Sequence, residues 1–492
     1  MRGDLISLVL IRNEGRHSMG TKRKLRVGVA GLMCTPFRGD KETQYAASAE
    51  ALNALAAQLD FELHVVKQGM YTQTQAEAAA AELAAWDADF VLLQSSSFGP
   101  GAFIYEFTAL DARLGLWAVP EGPPTEEGGL PLNSFVAANM YNSIVGSYLL
   151  NYDRPVKWFY GRPGQPLFDA RLQATVRALT ALVNLCDARV GLIGGVAPGF
   201  DNLIVDPRDL RAQLGVKVVP VEFDAVLQRA QEQGRDRVAA AQSTLRAGAA
   251  EFEAGQETAL ERSARVYLAY QALAEELNLD ALAVSCWPRF QEDYHLAVCS
   301  VVGQLNADAQ VTACEGDVPS AVNMLALHYM SDDVVTLMDL SGVDPEKERI
   351  LFWHCGPTAP VLADENGSRM GSLWLFDGYE GPPMGLRNDL VLRPGPVTVM
   401  GFTPDFARML VLDGRIADEA PPYVGSRGWL TDLRLNGKAV TVPELVETLM
   451  HAHFQHHYPL VYGDFTAASL ELAAWLDVAP IAARRYTPYL QR

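Results

Sequence analysis

From Leu25 onward the chain alternates short continuous apolar runs with longer amphipathic segments. LRVGVAGL, FELHVV and DFVLLQSS read as strands, and YAASAEALNALAAQL and QAEAAAAELAAW read as the helices between them. Strands that are apolar throughout, rather than at every second position, predict a parallel sheet covered on both faces. Loops after such strands are the usual place for ligands. The alternation restarts near Arg162 with the helix PGQPLFDARLQATVRALTALVNL and the strands ARVGLIGG and VKVVPVEF. Two helices follow, expected over 224–252 and 257–277, then strand LDALAVSCW, a loop PRFQED, helix YHLAVCSVVGQLNAD and the run VTACEG. Beyond Pro319 the texture changes: after the helix AVNMLALHYM, the apolar runs GSLWLFDG, DLVLRPG, PVTVMGF and ARMLVLDG come in close succession, joined by Pro/Gly-rich turns. That spacing predicts antiparallel strands. The expected fold class is α/β: a loose N-terminal extension over 1–24, Rossmann-like parallel domains over 25–161 and 162–320, and a β-rich, antiparallel, barrel-like domain over 321–492.

Composition narrows the function. Of the 492 residues 49% are apolar, enough for several cores. Lys and Arg number 40 against 59 Asp and Glu, a formal charge of −19, which argues against a nucleic-acid footprint. No apolar stretch reaches the roughly 20 residues of a membrane span, and LISLVLI is too short for a secretory signal. A cytoplasmic protein is expected. The glycines Gly191, Gly194, Gly195 and Gly199 do not fit a dinucleotide-binding GxGxxG spacing. The six cysteines form no CxxC pair and read as reduced thiols. Cys314 and Cys355 neighbour polar strand-end residues, and strand alternation would send them to the opposite face.

Those polar strand-end residues form the candidate site. VTAC runs into Glu315, VVTLM into Asp339 and ILFW into His354, and the cluster HAHFQHH ends at His457 before YPLVYG. Two carboxylates and two imidazoles at strand mouths can converge on one divalent ion. A mixed oxygen and nitrogen set suits Mn²⁺, with Mg²⁺ or Co²⁺ as alternatives. Glu315 and Asp339 would be both ligands and proton carriers. Each also has a plain structural reading: Asp339 as the cap of a turn, Glu315 as an acceptor at the following helix N-terminus. Trp287, Trp353 and Trp374 are candidates to wall a polyol, and Arg289 and Arg38 to hold an anionic substituent.

CEGDVPSAVNMLALHYM followed by VVTLMDL resembles the L-fucose and L-arabinose isomerase superfamily, as does HHYPLVYGDFTAASLELAAWL. The separation of 24 residues between Glu315 and Asp339 and the aspartate at the second place are similar to the fucose branch. The doubled His456–His457 and the His354 of WHCG are closer to the arabinose branch. The resemblance implies metal ligation by Glu315, Asp339 and His457, with His354 as an additional ligand. It also implies substrate contacts from Arg38 and Gln291, and a homo-hexamer with sites completed by a neighbouring subunit.

The function expected is that of a metal-dependent aldose–ketose isomerase working through a cis-enediol. Its sugar is fucose- or arabinose-like, with a sulfonated or otherwise modified sugar as a minority possibility. Two readings from other classes stand beside it: a non-catalytic sugar-binding or sensing protein, and a metal-dependent aldolase or hydrolase.

Overall fold

The structure, a computed structural model, describes residues 22–149, 152–381 and 383–490. Most of the N-terminal extension expected over 1–24 lies outside the described residues. Among those described, the chain divides into two compact units, residues 23–183 and 184–490.

The first unit contains β1 (Arg26–Leu32), α1 (Lys41–Leu59), β2 (Glu62–Val65), α2 (Gln73–Ala85), β3 (Phe90–Ser95), α3 (Ile104–Thr108), β4 (Arg113–Ala118), α4 (Ser134–Tyr148) and β5 (Val156–Tyr160). Its five strands are parallel in the order β2-β1-β3-β4-β5, so connections leave β1 in both directions. β3 is buried at every position, the burial a sheet covered on both faces requires. Helix starts are set by local chemistry. The Asp40 side chain accepts from Thr43 N at α1, and Thr72 with Gln75 forms a capping box at α2.

The division into units falls near the end of α5 (Pro166–Leu185). The second unit continues with β6 (Arg189–Ile193), α6 (Pro207–Leu214), β7 (Lys217–Val221), α7 (Phe223–Gln231), α8 (Arg235–Ala247), β8 (Glu251–Phe252), α9 (Glu257–Leu277), β9 (Ala281–Val284), α10 (Arg289–Tyr294), α11 (Cys299–Ala307) and β10 (Val311–Ala313). β10-β9-β6-β7 is a second parallel sheet, packed on a core that includes Val226, Tyr270, Leu282 and Phe290. Three local expectations change. The helix expected over 224–252 is two helices, with Gly234 standing at the start of the second, and it ends before β8. PRFQED is not a loop, because α10 occupies Arg289–Tyr294. The next helix begins only at Cys299.

The same unit then forms α12 (Val318–Ser331), β11 (Val335–Asp344), β12 (Arg349–His354), β13 (Arg369–Ser372), β14 (Gly385–Val391), β15 (Gly395–Phe402), β16 (Arg408–Ile416), β17 (Ser426–Leu435), β18 (Lys438–Ala439), α13 (Val442–Ala452), β19 (His457–Tyr462), α14 (Thr466–Trp475) and β20 (Ala479–Pro480). Strands β16-β15-β19-β11-β12-β17 pair antiparallel in turn, and β17 pairs back onto β16. The ring closes, leaving no free edge among those six strands. Met338, Ile350, Phe352, Val399, Leu412, Leu430, Tyr458 and Leu460 share one buried cluster within it. The expectation of an α/β chain with parallel sheets and an antiparallel, barrel-like C-terminal part agrees with this architecture. No helix among the described residues is long and apolar enough to cross a membrane.

Candidate metal and active site

The site is assembled where β10 ends. After Ala313 the backbone leaves the strand, and Glu315 and Gly316 both adopt left-handed conformations, with φ of 63° and 73°. A glycine is required at 316, since a Cβ there would collide with the Gly195 carbonyl oxygen. Glu315 has no such excuse, and its conformation costs on the order of 1–3 kcal/mol. Two backbone bonds hold it: Ala197 N donates to Glu315 O (2.9 Å) and Gly316 N to Val284 O (3.0 Å). Asp317 then caps α12, its Oδ1 accepting from Ser320 N at 2.9 Å.

Strand register supplies the other groups. Asp339 on β11 lies opposite His457, the first residue of β19. Asp339 is not at a strand end, because β11 continues through an irregularity between Leu340 and Gly342. His354 closes β12. These side chains form two clusters that share His457: Glu315, His456 and His457, and Asp339, His354 and His457. His457 Nε2 is 3.3 Å from Glu315 Oε2 and 3.5 Å from Asp339 Oδ1. His456 Nε2 is 3.5 Å from Glu315 Oε2, and its ring stacks on Phe200. The ring centroids of His354 and His457 are 5.7 Å apart.

The orientation of His457 has a single cause. It is fully buried, and its Nδ1 donates to Asp317 Oδ2 at 2.8 Å, the carboxylate itself having no exposed surface. With Nδ1 carrying that proton, Nε2 is turned toward Glu315 and Asp339. A carboxylate behind an imidazole in this way is the usual support of a metal-ligating histidine. His457 Nε2 and Asp339 Oδ1 are both buried without a hydrogen-bond partner, although each faces the other. Unsatisfied polar atoms buried around one point are costly unless something fills it. The donor set, carboxylate oxygens with imidazole nitrogens, fits a divalent cation.

Electrostatics agree with that fit. Burial pushes the Glu315 carboxyl up, but the hydrogen bond from His456 and the close imidazole of His457, with the charge of His457 and His354, hold it well below the usual carboxylate range. Burial lowers His457, yet Asp317 and Glu315 together carry it to about 10. Burial likewise lowers His354, and the charge of Asp339 foremost raises it to about 9. The same carboxylates thus favour protonated imidazoles at His354 and His457.

No protein-family model matches the chain. Among curated proteins, a sulfoquinovose isomerase from Priestia aryabhattai is 28% identical over 399 residues, covering 79% of this chain and 84% of its own length. One from Alkalicoccus urumqiensis is 28% identical over 391 residues, covering 78% and 84%. A third, from a Clostridium species, is 26% identical over 366 residues. The chain is an aldose–ketose isomerase. Among solved structures, an ABC transporter solute-binding protein from Burkholderia multivorans aligns with 63% of this chain at 12% identity, but its TM-score of 0.17 carries no argument about fold.

In this isomerase the remaining sequence-predicted residues are dispersed. Arg38 belongs to the first unit, is exposed and pairs with Glu127 at 3.6 Å. Arg289 is held by Asp224 (2.8 Å) and Asp293 (2.6 Å) and lies over Phe223. Gln291 is buried, donating to the carbonyls of Cys286 and Leu296. Trp353 lies opposite Asp339 and donates to Val424 O, while Trp374 is half-exposed on a short 3-10 turn. The expectation that strand alternation sends Cys314 and Cys355 to the opposite face is overturned, while all six cysteines are free thiols as expected. Cys314 Sγ and Cys355 Sγ each lie 3.3 Å from a nitrogen of His354, because both follow the last residue of their strands, where alternation no longer applies. Burial foremost keeps Cys314 protonated, and Cys355 is held up by its contact with Cys299 and by burial, so neither thiol is a ready nucleophile. Sequence reasoning missed Asp317 and gave His456 no role. The readable signals were the acid two residues after Glu315 and the doubled histidine itself.

Proposed function

We propose that the chain is a metal-dependent isomerase that interconverts a sulfonated aldohexose, of the sulfoquinovose kind, with the corresponding ketose. The observation that carries this reading is the pair of carboxylate–imidazole clusters sharing His457, in a chain whose relatives isomerise a sulfonated sugar. Glu315, Asp339 and His457 would hold the ion, Mn²⁺ by preference, with His354 and His456 at its margin. When bound it supplies a Lewis acid that polarises the carbonyl and tempers the negative charge developed on the sugar oxygens.

The residues do the rest. One of Glu315 and Asp339 takes the C2 proton of the open-chain aldose, leaving a cis-enediol, and returns it to C1. The other carries the proton between the C1 and C2 oxygens. Supporting this, both carboxylates lie within 3.5 Å of His457 Nε2, and among the described residues neither is paired with a lysine or arginine that would neutralise it. Asp317 keeps the proton of His457 on Nδ1. A homo-oligomer, hexameric by the resemblance of the sequence, agrees with exposed Phe135, Val136, Tyr148 and Trp158 near the β5 edge of the first unit. A cytoplasmic location belongs to the same proposal.

The test is isomerisation of a panel of aldoses, including fucose, arabinose, common hexoses and a 6-sulfonated hexose, by chelator-stripped protein with and without Mn²⁺. Ketose should form from the sulfonated hexose and depend on the added ion. Glu315→Gln should remove turnover while leaving the melting profile intact. Near-normal turnover by that variant, or cleavage of the carbon chain, would defeat the proposal.

A further inference from the structure

A buried guanidinium near this site has capacity its neighbours do not use. Arg387 on β14 lies opposite Gly371 and is 9% exposed. Its Nε donates to Ser372 O at 2.6 Å, but its buried Nη1 has no hydrogen-bond partner. The carboxylate nearest to that nitrogen, Asp389 Oδ2, is 3.5 Å away. Asp389 is already engaged: its Oδ1 accepts from Arg427 Nη1 (2.5 Å) and from Gly425 N (3.1 Å). Glu253 is engaged too, with Ser372 and Arg369. Two guanidiniums therefore share Asp389, and the buried Nη1 of Arg387 has no hydrogen-bond partner. A buried cation in that condition is costly unless an anion completes it.

The position relates this charge to the reacting groups. Arg427 pairs across strands with Trp353, Trp353 with Asp339, and Asp339 with His457, in one row over β17, β12, β11 and β19. Arg427 stands two strand spacings from Asp339, about 10 Å, the scale of an extended six-carbon sugar with a terminal substituent. Arg387 is also packed against the chain just after His354. A Cβ on Gly356 would stand 2.6 Å from Arg387 Cβ, and Asn388 N donates to Gly356 O at 3.0 Å. The indole of Trp353 donates to Val424 O, next to the Gly425 that bonds Asp389.

We propose that Arg387 is the sulfonate-recognising residue of this isomerase, with Arg427 and Asp389 setting its position and Trp353, which stands between Arg427 and Asp339 in that row, walling the sugar. This rests on the reading of the substrate as a sulfonated aldose. It assigns the anion to a residue other than Arg289, whose charge two carboxylates already meet. A sulfonate offers three acceptor oxygens and a single negative charge, matching a guanidinium whose Nη1 has no hydrogen-bond partner, in a group where two guanidiniums meet one carboxylate.

The test compares full-length wild type, Arg387→Met and Arg387→Lys, with Mn²⁺ supplied, on a 6-sulfonated aldohexose, the same aldohexose without the sulfonate, and its 6-phosphate. Arg387→Met should lower the ratio of kcat/KM for the sulfonated over the neutral sugar by about 100-fold, mostly through KM, with Arg387→Lys intermediate. Equal losses on both sugars would mean a structural role and would overturn the assignment. So would a wild-type preference for the phosphate. A second measurement does not need turnover: calorimetric titration with methanesulfonate, which should bind wild type and not Arg387→Met. Binding of methanesulfonate by a wild type that ignores the sulfonated sugar would uphold the anion site and refute the substrate. Absence of that binding in wild type would overturn the site itself.

Discussion

Asp317→Asn separates the two jobs of one buried carboxylate. Asp317 Oδ1 caps α12 through Ser320 N (2.9 Å), and Oδ2 accepts the Nδ1 proton of His457 (2.8 Å). Asparagine is as good a cap as aspartate, so its carbonyl oxygen keeps the bond to Ser320. Its amide nitrogen must then face His457, and a donor there requires an acceptor. The imidazole answers by moving its proton from Nδ1 to Nε2, the nitrogen that looks at Glu315 and Asp339. A protonated Nε2 cannot ligate. Loss of such a support typically weakens a metal site 10–100-fold, about 1.4–2.7 kcal/mol, and the wrong tautomer puts this variant at the upper end. Asp317→Ala should instead lose the cap as well, adding about 1 kcal/mol, and leave the His457 N–H unbonded in the interior. Calorimetric Mn²⁺ titration and urea unfolding of the metal-free proteins read the two effects separately. Asp317→Asn keeps the cap but loses the charge that holds the proton on His457, so the metal-free protein should unfold below wild type, by less than Asp317→Ala, and bind Mn²⁺ far more weakly. Wild-type affinity in Asp317→Asn would refute the reasoning, because the role of Asp317 would then be capping alone.

Gly316→Ala should destabilise the protein by at least about 1–2 kcal/mol, since φ is 73° and the new methyl meets the Gly195 carbonyl. Turnover should fall further than stability explains, because Glu315 is the adjacent residue; an unchanged melting temperature would contradict the turn geometry. Protonation gives a pH test. His457 is raised to about 10 in the metal-free protein, against an ordinary value of about 6.5. A raised pKa stabilises fully below the unfolded value and is lost as pH climbs through the folded one. The metal-free protein should therefore lose stability between roughly pH 6.5 and 10, and Mn²⁺ affinity should rise over the same window as protons are displaced. Calorimetry at pH 8 in buffers of different ionisation enthalpy would show proton release on Mn²⁺ binding, and none released would argue against imidazole ligation.

How far the sequence could be read follows from what kind of force places each part. Most strands of the two parallel sheets are legible because burial on both faces leaves continuous apolar runs such as FVLLQS, whereas β4 (RLGLWA) and β5 (VKWFY) were not read. The helix break at Gly234 and the helix over Arg289–Tyr294 were not, because each is a matter of one or two turns against a tertiary surface. Closure of the barrel was only suggested, since the β16–β17 pairing that completes the ring joins strands separated by the connection ADEAPPYVG, which lacks the Asn-Gly or Asp-Gly pair of a tight hairpin.

The site shows the same division more sharply. Glu315, Asp339, His354 and His457 were visible because a polar residue ending an apolar run has few reasons to be there. Asp317 was invisible because N-capping explained it fully, and capping is in fact one of its two jobs. Arg387 was invisible for the opposite reason: GLRNDLV gives no periodic cue, and only the fold reveals that its guanidinium is buried with a nitrogen unpaired. Strand alternation misled at Cys314 and Cys355, one residue beyond where it holds. A residue that serves fold and chemistry together is therefore read from sequence as fold alone. Its second role emerges only when the distant partner, here His457, arrives in register across the sheet.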